Sequence, residues 1–221
     1  DWRRKVTGIS ERAEIKLYDY VRSTAAYRVR IALNLKQLTY QSLSVSLLDG
    51  EQRSAEYLSV NSAGLVPSLE ISEGVMTQSL AIIEYLEEQY PEPALLPTDP
   101  MKRAECRALA LDIACDIHPL NNLRVLKHLT STLGHNEQEK LAWYHHWLKQ
   151  GFAAIEGKLA QTDSPFCCGA EPTMADICLV PQLFNARRFE LDLTPYPRMV
   201  EVEQNCLGLA AFANASPDKS A

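Results

Sequence analysis

The chain has 221 residues, 46% of them apolar and 23% charged, with a net charge of -6 at neutral pH. That composition supports one large or two small domains with a buried core, and it excludes a global positive field able to hold nucleic acid or an anionic membrane. No apolar run approaches the roughly 20 residues of a bilayer span, and the opening DWRRKVTGISERAE lacks the apolar stretch of a secretory leader, so a cytoplasmic location is expected.

In chain order, IKLYDY (15–20) alternates as a strand, and after the small residues Ser23 to Ala26 the apolar positions Val29, Ile31, Ala32, Leu33 and Leu35 read as a helix. YQSLSVSL (40–47) alternates again, and SAEYLSV (54–60) is a short helix. VPSLEI (66–71) and GVMT (74–77) are two strands around a turn at Glu73-Gly74. SLAIIEYLEEQY then spaces Leu80, Ile83 and Leu86 for a helix that must end before Pro91. The order is β-α-β-α-β-β-α.

PEPALLPTDP, with four prolines between Pro91 and Pro100, marks a linker. Beyond it the periodic segments are helical. Leu109, Ile113, Ile117 and Leu120 share one helix face, and Pro119 within that run predicts a kink instead of an end. EQEKLAWYHHWLKQGFAAIEGKL is a long helix, and TMADICLVPQLFNARRF opens with Thr173 and Asp176 spaced as a capping box, which gives Asp176 a structural role. Residues 1–14 and 214–221 read as tails.

The six cysteines, Cys106, Cys115, Cys167, Cys168, Cys178 and Cys206, show no C-x-x-C spacing, so reduced thiols and no metal site are expected. Adjacent His145 and His146 point about 100° apart on a helix and are poorly placed to share an ion.

Six segments carry a resemblance: YRVRIAL after the small-residue turn, GLVPSL, TQSLAIIEYLEE, PLNNLRVLKHL, TMADICLVPQLFNARRF and DLTPYP. In this order, from Ile15 to about Phe212, the chain resembles the glutathione transferases, and within them the zeta class that includes maleylacetoacetate and maleylpyruvate isomerases. The resemblance implies an α/β plus all-α fold: a thioredoxin-like glutathione-binding domain over 15–91, a linker over 92–100 and an all-helical substrate domain over 101–213. It further implies glutathione as cofactor and a homodimer.

Glutathione acts as a thiolate, and an ordinary thiol with a pKa of roughly 8.5 is mostly protonated at neutral pH. Unpaired amides at a helix start contribute about 0.3 to 1 kcal/mol toward a nearby anion, and a hydroxyl donor about 1.5 to 3 kcal/mol more. Ser23, with Thr24 beside it, therefore fits the catalytic position that the resemblance implies, although a serine there also reads as an ordinary N-cap. The zeta pattern has Ser-Ser-Cys where this chain has Ser23-Thr24-Ala25, which removes any protein thiol from the chemistry.

For glutathione itself, the resemblance implies a cis Val66-Pro67 bond that presents backbone to the cysteinyl amide. It also implies Gln78 and Ser79 at the γ-glutamyl carboxylate, with Gln52, His118 and Asn122 in supporting contacts. The implied second substrate, a cis-unsaturated diketo acid with two carboxylates, requires arginines, and Arg22, Arg124 and Arg188 are the candidates. Arg187 reads as a solvated neighbour, while Arg28 and Arg30 face different ways on their helix and suit structural ion pairing. The implied reaction is reversible thiolate addition to the double bond, rotation and elimination. A transferase acting on α-halo acids and a noncatalytic glutathione-binding protein remain alternatives.

Overall fold

The computed structural model describes residues 15–219. The tail expected over 1–14 lies outside the described residues.

The IKLYDY alternation becomes β1 (Lys16–Asp19), which buries Leu17 and Asp19 on one face and turns Lys16 and Tyr18 to the other. It pairs in parallel with β2 (Gln41–Ser44) and antiparallel with β3 (Ser68–Ile71). β3 pairs antiparallel with β4 (Gly74–Thr77), giving the order β2-β1-β3-β4. The turn between β3 and β4 falls at Ser72-Glu73, one residue earlier than the sequence reading, with Gly74 already in the strand.

The parallel β1 and β2 need a crossover, which α1 (Thr24–Leu35) supplies. Beside it packs α3 (Ser79–Gln89), and Val29, Ile31, Leu33, Ile82, Ile83 and Leu86 are all buried. On the opposite face α2 (Ala55–Val60) brings the Tyr57 ring to 5.8 Å from that of Tyr18.

The proline-rich stretch is an anchored strap. Leu95 and Leu96 are buried, and the Glu87 carboxylate accepts from both of their amides and from Lys36 Nζ at 2.7 Å. The strap ends at Asp99, one residue short of the expected limit. Pro100 is the first residue of α4 (Pro100–Leu111), where its missing N–H costs nothing, and Asp99 caps the helix by accepting from the Lys102 amide.

The run expected to continue through a kink at Pro119 breaks up instead. After α4 the chain widens into a π segment (Asp112–Ile117) and tightens into a 3-10 turn (His118–Asn121). It ends at Asn122, whose side chain caps α5 (Leu123–Ser131) by accepting from the Arg124 amide. The physical reason is Pro119, which has no N–H with which to continue the α ladder. The π segment packs on α6 (Glu137–Leu159) at Gly151, where an added Cβ would stand 2.3 Å from Ile117 Cδ1.

α7 (Met174–Arg188) begins as expected at the Thr173–Asp176 box: the fully buried Asp176 carboxylate accepts from the Thr173 amide and hydroxyl, and also from the Cys167 amide. α8 (Pro197–Leu207) and α9 (Ala210–Ala213) complete the helical unit. The segment read as a tail from 214 packs back instead, because Ala215 is buried and its carbonyl accepts from Arg30 Nε at 3.0 Å.

Candidate active site

The loop between β1 and α1 is held from beneath by Arg30. Its guanidinium pairs with both oxygens of buried Asp19 at 2.7 and 2.8 Å and donates to the Val21 carbonyl at 3.0 Å. Structural ion pairing, one of the readings of this helix, therefore describes Arg30. The Ser23 amide donates to the Tyr20 carbonyl, closing the turn that presents Arg22 and Ser23.

Ser23 is the N-cap of α1, and its Oγ accepts from the Ala26 amide at 3.2 Å. A hydroxyl has one proton and two lone pairs, so capping leaves the proton free, and it has no acceptor among the described residues. The two readings of Ser23, cap and donor, are compatible in this geometry.

Two loops face it. Gln52 stands on a 3-10 turn (Glu51–Arg53) with its Oε1 buried and without a hydrogen-bond partner among the described residues. Gly64, at φ +60, lets the next loop approach so closely that a Cβ would lie 2.7 Å from the Gln52 carbonyl oxygen. The Leu65 carbonyl is taken by Tyr57 Oη at 2.6 Å and Asn61 Nδ2 at 2.7 Å, which frames the cis Val66-Pro67 bond. At the start of α3, Gln78 adopts φ 71, a conformation seldom seen for a non-glycine residue and often found at binding sites.

From the helical unit, His118 Nδ1 meets Thr24 Oγ1 at 2.8 Å. His118 keeps part of its surface open to the site but lies deep between the two units. Burial, followed by the charges of Arg28 and Arg124, pulls its imidazole down to about 3, so it is neutral at physiological pH.

These residues line two cavities, of about 400 and 330 Å³, that share Leu65, Val66, His118, Asn122 and Arg124. Arg22, Ser23, Thr24, Gln52 and Arg188 belong to the first, and Pro67, Gln78 and Ser79 to the second. All the site residues expected from the sequence thus lie around one divided hollow. Asn122 doubles as the cap of α5, and the Thr24 hydroxyl is engaged by His118.

The charge of the hollow is one-sided. Arg22, Arg53, Arg124, Lys127 and Arg188 line the first cavity and Arg28 the second, and no Asp or Glu lines either. None of the six cations forms an ion pair among the described residues. Burial, and after it the charge of Arg22, holds Arg188 below its ordinary value, as expected of two cations facing one space. Arg187, read as solvated, pairs instead with Glu203 from α8.

A family model described as "Glutathione S-transferase, N-terminal domain" matches residues 17–94, and one described as "Glutathione S-transferase, C-terminal domain" matches residues 148–202. A protein of Vibrio cholerae named "Probable maleylacetoacetate isomerase" is 50% identical over 204 residues, covering 91% of this chain and 95% of that one. The chain belongs to the glutathione S-transferase family. Among solved members, a maleylpyruvate isomerase described as a bacterial glutathione S-transferase of the zeta class superposes with a TM-score of 0.91 at 46% identity, covering 92% of this chain and 97% of that one. A maleylacetoacetate isomerase of Methylobacterium extorquens AM1, solved with malonate and glutathione bound, gives 0.90 at 37% identity, with 92% and 97% covered.

Sequence reasoning did not assign to the hollow four residues that line it: Arg53, Asn121 and Lys127, and Arg28, which it read as suited to structural ion pairing but which forms no ion pair among the described residues. One signal was available for Arg28, because Thr24 and Arg28 are four apart on a helix and share a face. Lys127 likewise stands three residues from Arg124 on α5 and shares its face, whereas Arg53 and Asn121 lie on 3-10 turns whose placement has no local sequence mark.

Proposed function

We propose that this protein is a glutathione-dependent cis-trans isomerase converting maleylacetoacetate to fumarylacetoacetate, with maleylpyruvate as the alternative substrate of the same class. The observation that carries the reading is the pairing of a free hydroxyl proton at the α1 N-terminus with a hollow lined by six unpaired cations and no carboxylate, in a chain of net charge -6.

The residues present suit glutathione. A tripeptide has amides to donate, and the buried Gln52 Oε1 and Asn121 Oδ1 are acceptors without a partner among the described residues. The backbone at Val66, beside the cis Val66-Pro67 bond, lines the hollow and suits the cysteinyl amide. Ser79 and the first amides of α3 suit the γ-glutamyl carboxylate. His118 and Asn122 close the hollow from the helical side.

When bound, glutathione supplies a thiolate that adds to the cis double bond and leaves after rotation, so it is regenerated. Ser23 would donate a hydrogen bond to the sulfur, keeping its own proton, and with the α1 amides would favour the anion. Thr24 acts through its bond to His118, fixing the helix start on which Ser23 stands. Arg22 and Arg188 hold the two substrate carboxylates, Arg124 assists, and their positive potential favours the negative charge that moves onto the substrate's carbonyl oxygen. An α-halo acid with a single carboxylate leaves the facing Arg22 and Arg188 unmatched, which favours the dicarboxylate.

A direct ultraviolet assay tests the reading. Conversion of maleylacetoacetate is expected with glutathione and is expected to fall to background without it; no conversion with glutathione present rejects the isomerase. We also place the protein in the cytoplasm, since all six cysteines are free thiols, and as a homodimer, on the family resemblance. Sedimentation velocity checks the second point.

A further inference from the structure

Three basic side chains are buried among the described residues: Arg28, Arg30 and Lys36. Two have carboxylate partners. Arg30 has Asp19 and two carbonyls, and Lys36 has Glu87. Arg28 is 2% exposed, donates from Nη1 to Ser79 Oγ at 3.3 Å, and leaves Nε and Nη2 without a hydrogen-bond partner among the described residues. Arg30, two residues along the same helix, shows what a purely structural buried arginine looks like here. A buried charge without a counter-ion is unfavourable to the empty fold, and an apolar side chain of similar volume would serve packing better.

Arg28 lines the second cavity together with Gln78 and Ser79, where α3 begins and no carboxylate is present. By occupying a lone pair of Ser79 Oγ, it leaves that hydroxyl's proton to point toward the hollow. We propose that Arg28 is a positioning residue for the γ-glutamyl carboxylate of glutathione, acting through Ser79 and through the positive charge of its own unpaired N–H groups. The inference rests on the reading above that places that carboxylate at the start of α3. Burial holds the guanidinium below its ordinary value, and an anion beside it reverses that effect.

The test is calorimetric titration of the full chain with glutathione and with 4-aminobutanoyl-Cys-Gly, the same peptide without the γ-glutamyl α-carboxylate. The wild type is expected to prefer glutathione by about ten- to a hundredfold, the range of a hydrogen bond to a charged group. Arg28→Met is expected to abolish most of that preference, weakening glutathione by about the same factor and the truncated peptide by less than about threefold. At saturating glutathione kcat stays within about threefold, so the loss falls on KM for glutathione. If Arg28→Met does not accumulate folded, Arg28→Gln is read by the same ratio. A variant that weakens both peptides equally, or keeps the wild-type preference, overturns the assignment of Arg28. A wild type that binds neither peptide overturns the functional reading itself.

Discussion

Thr24 Oγ1 and His118 Nδ1 lie 2.8 Å apart, and this bond joins the first turn of α1 to the 3-10 turn that follows the π segment. Its histidine is neutral, with a pKa near 3 against an ordinary value of about 6.5. The folded state therefore binds fewer protons than the unfolded chain between about pH 6.5 and pH 3. Stability attributable to this group is fully present above 6.5 and is lost as pH falls through that window, by at most about 1.4 kcal/mol per unit. Replacing the imidazole in His118→Asn should flatten the acid limb of a plot of melting temperature against pH. In wild type, the His118 ring signals in an NMR titration should stay those of the neutral form down to pH 5; protonation near 6.5 counts against the buried neutral ring.

Ser23→Ala separates an enzyme from a binding protein. Loss of a hydroxyl donor to a charged sulfur should lower kcat about ten- to a hundredfold while glutathione binding changes little. The same change removes the cap on Ala26 and should cost about 0.5 to 2 kcal/mol of stability, readable by urea unfolding. Absorbance of the glutathione complex near 240 nm should show the thiolate appearing at higher pH in the variant. Unchanged thiolate titration and turnover would remove Ser23 from the chemistry.

The facing arginines predict a selective defect. Arg22→Ala and Arg188→Ala should each raise KM for the diketo acid about tenfold or more and leave the glutathione dissociation constant within about twofold. Malonate and other dicarboxylates should compete with the diketo acid more strongly than acetate does. Equal inhibition by mono- and dicarboxylates argues against two-point binding.

Gly151 supports the site from a distance. Gly151→Ala pushes a methyl into Ile117 Cδ1, the residue before His118, and overpacking of this kind costs about 1 to 3 kcal/mol. Combining it with Ile117→Val should recover part of the lost stability and part of the lost activity together. Recovery of stability alone would mean that the π segment does not govern His118.

What could be read in the sequence was what is written locally. Helix starts are local events, so residue type and spacing marked Ser23 and the Thr173–Asp176 box as caps, while the binding roles of Ser23 and Ser79 came only from the resemblance; alternation placed the first two strands and the turn near Glu73 the other two. Facing across the molecule is not local. Arg187 and Arg188 are neighbours, yet one pairs with Glu203 on α8 and the other lines the hollow, a division set by the rotation of α7 against α8. Arg28 and Arg30 divide in the same way. Pro119 was legible as a disturbance, but its outcome was settled by the fit of Ile117 against Gly151, between residues 34 positions apart. The apparent tail from 214 gave no hint of itself because its anchors, among them the buried Ala215 and its carbonyl taken by Arg30, are contacts between residues far apart in the chain.

The acid-free lining has a further consequence for the direction of turnover. The cis reactant and trans product carry identical charges, so a hollow that attracts one by its arginines attracts the other nearly as well, and only shape separates them. Net flux must then be set by the free-energy difference between the isomers and by whatever removes the product, and a protein of this kind should stall in its own product when nothing drains it.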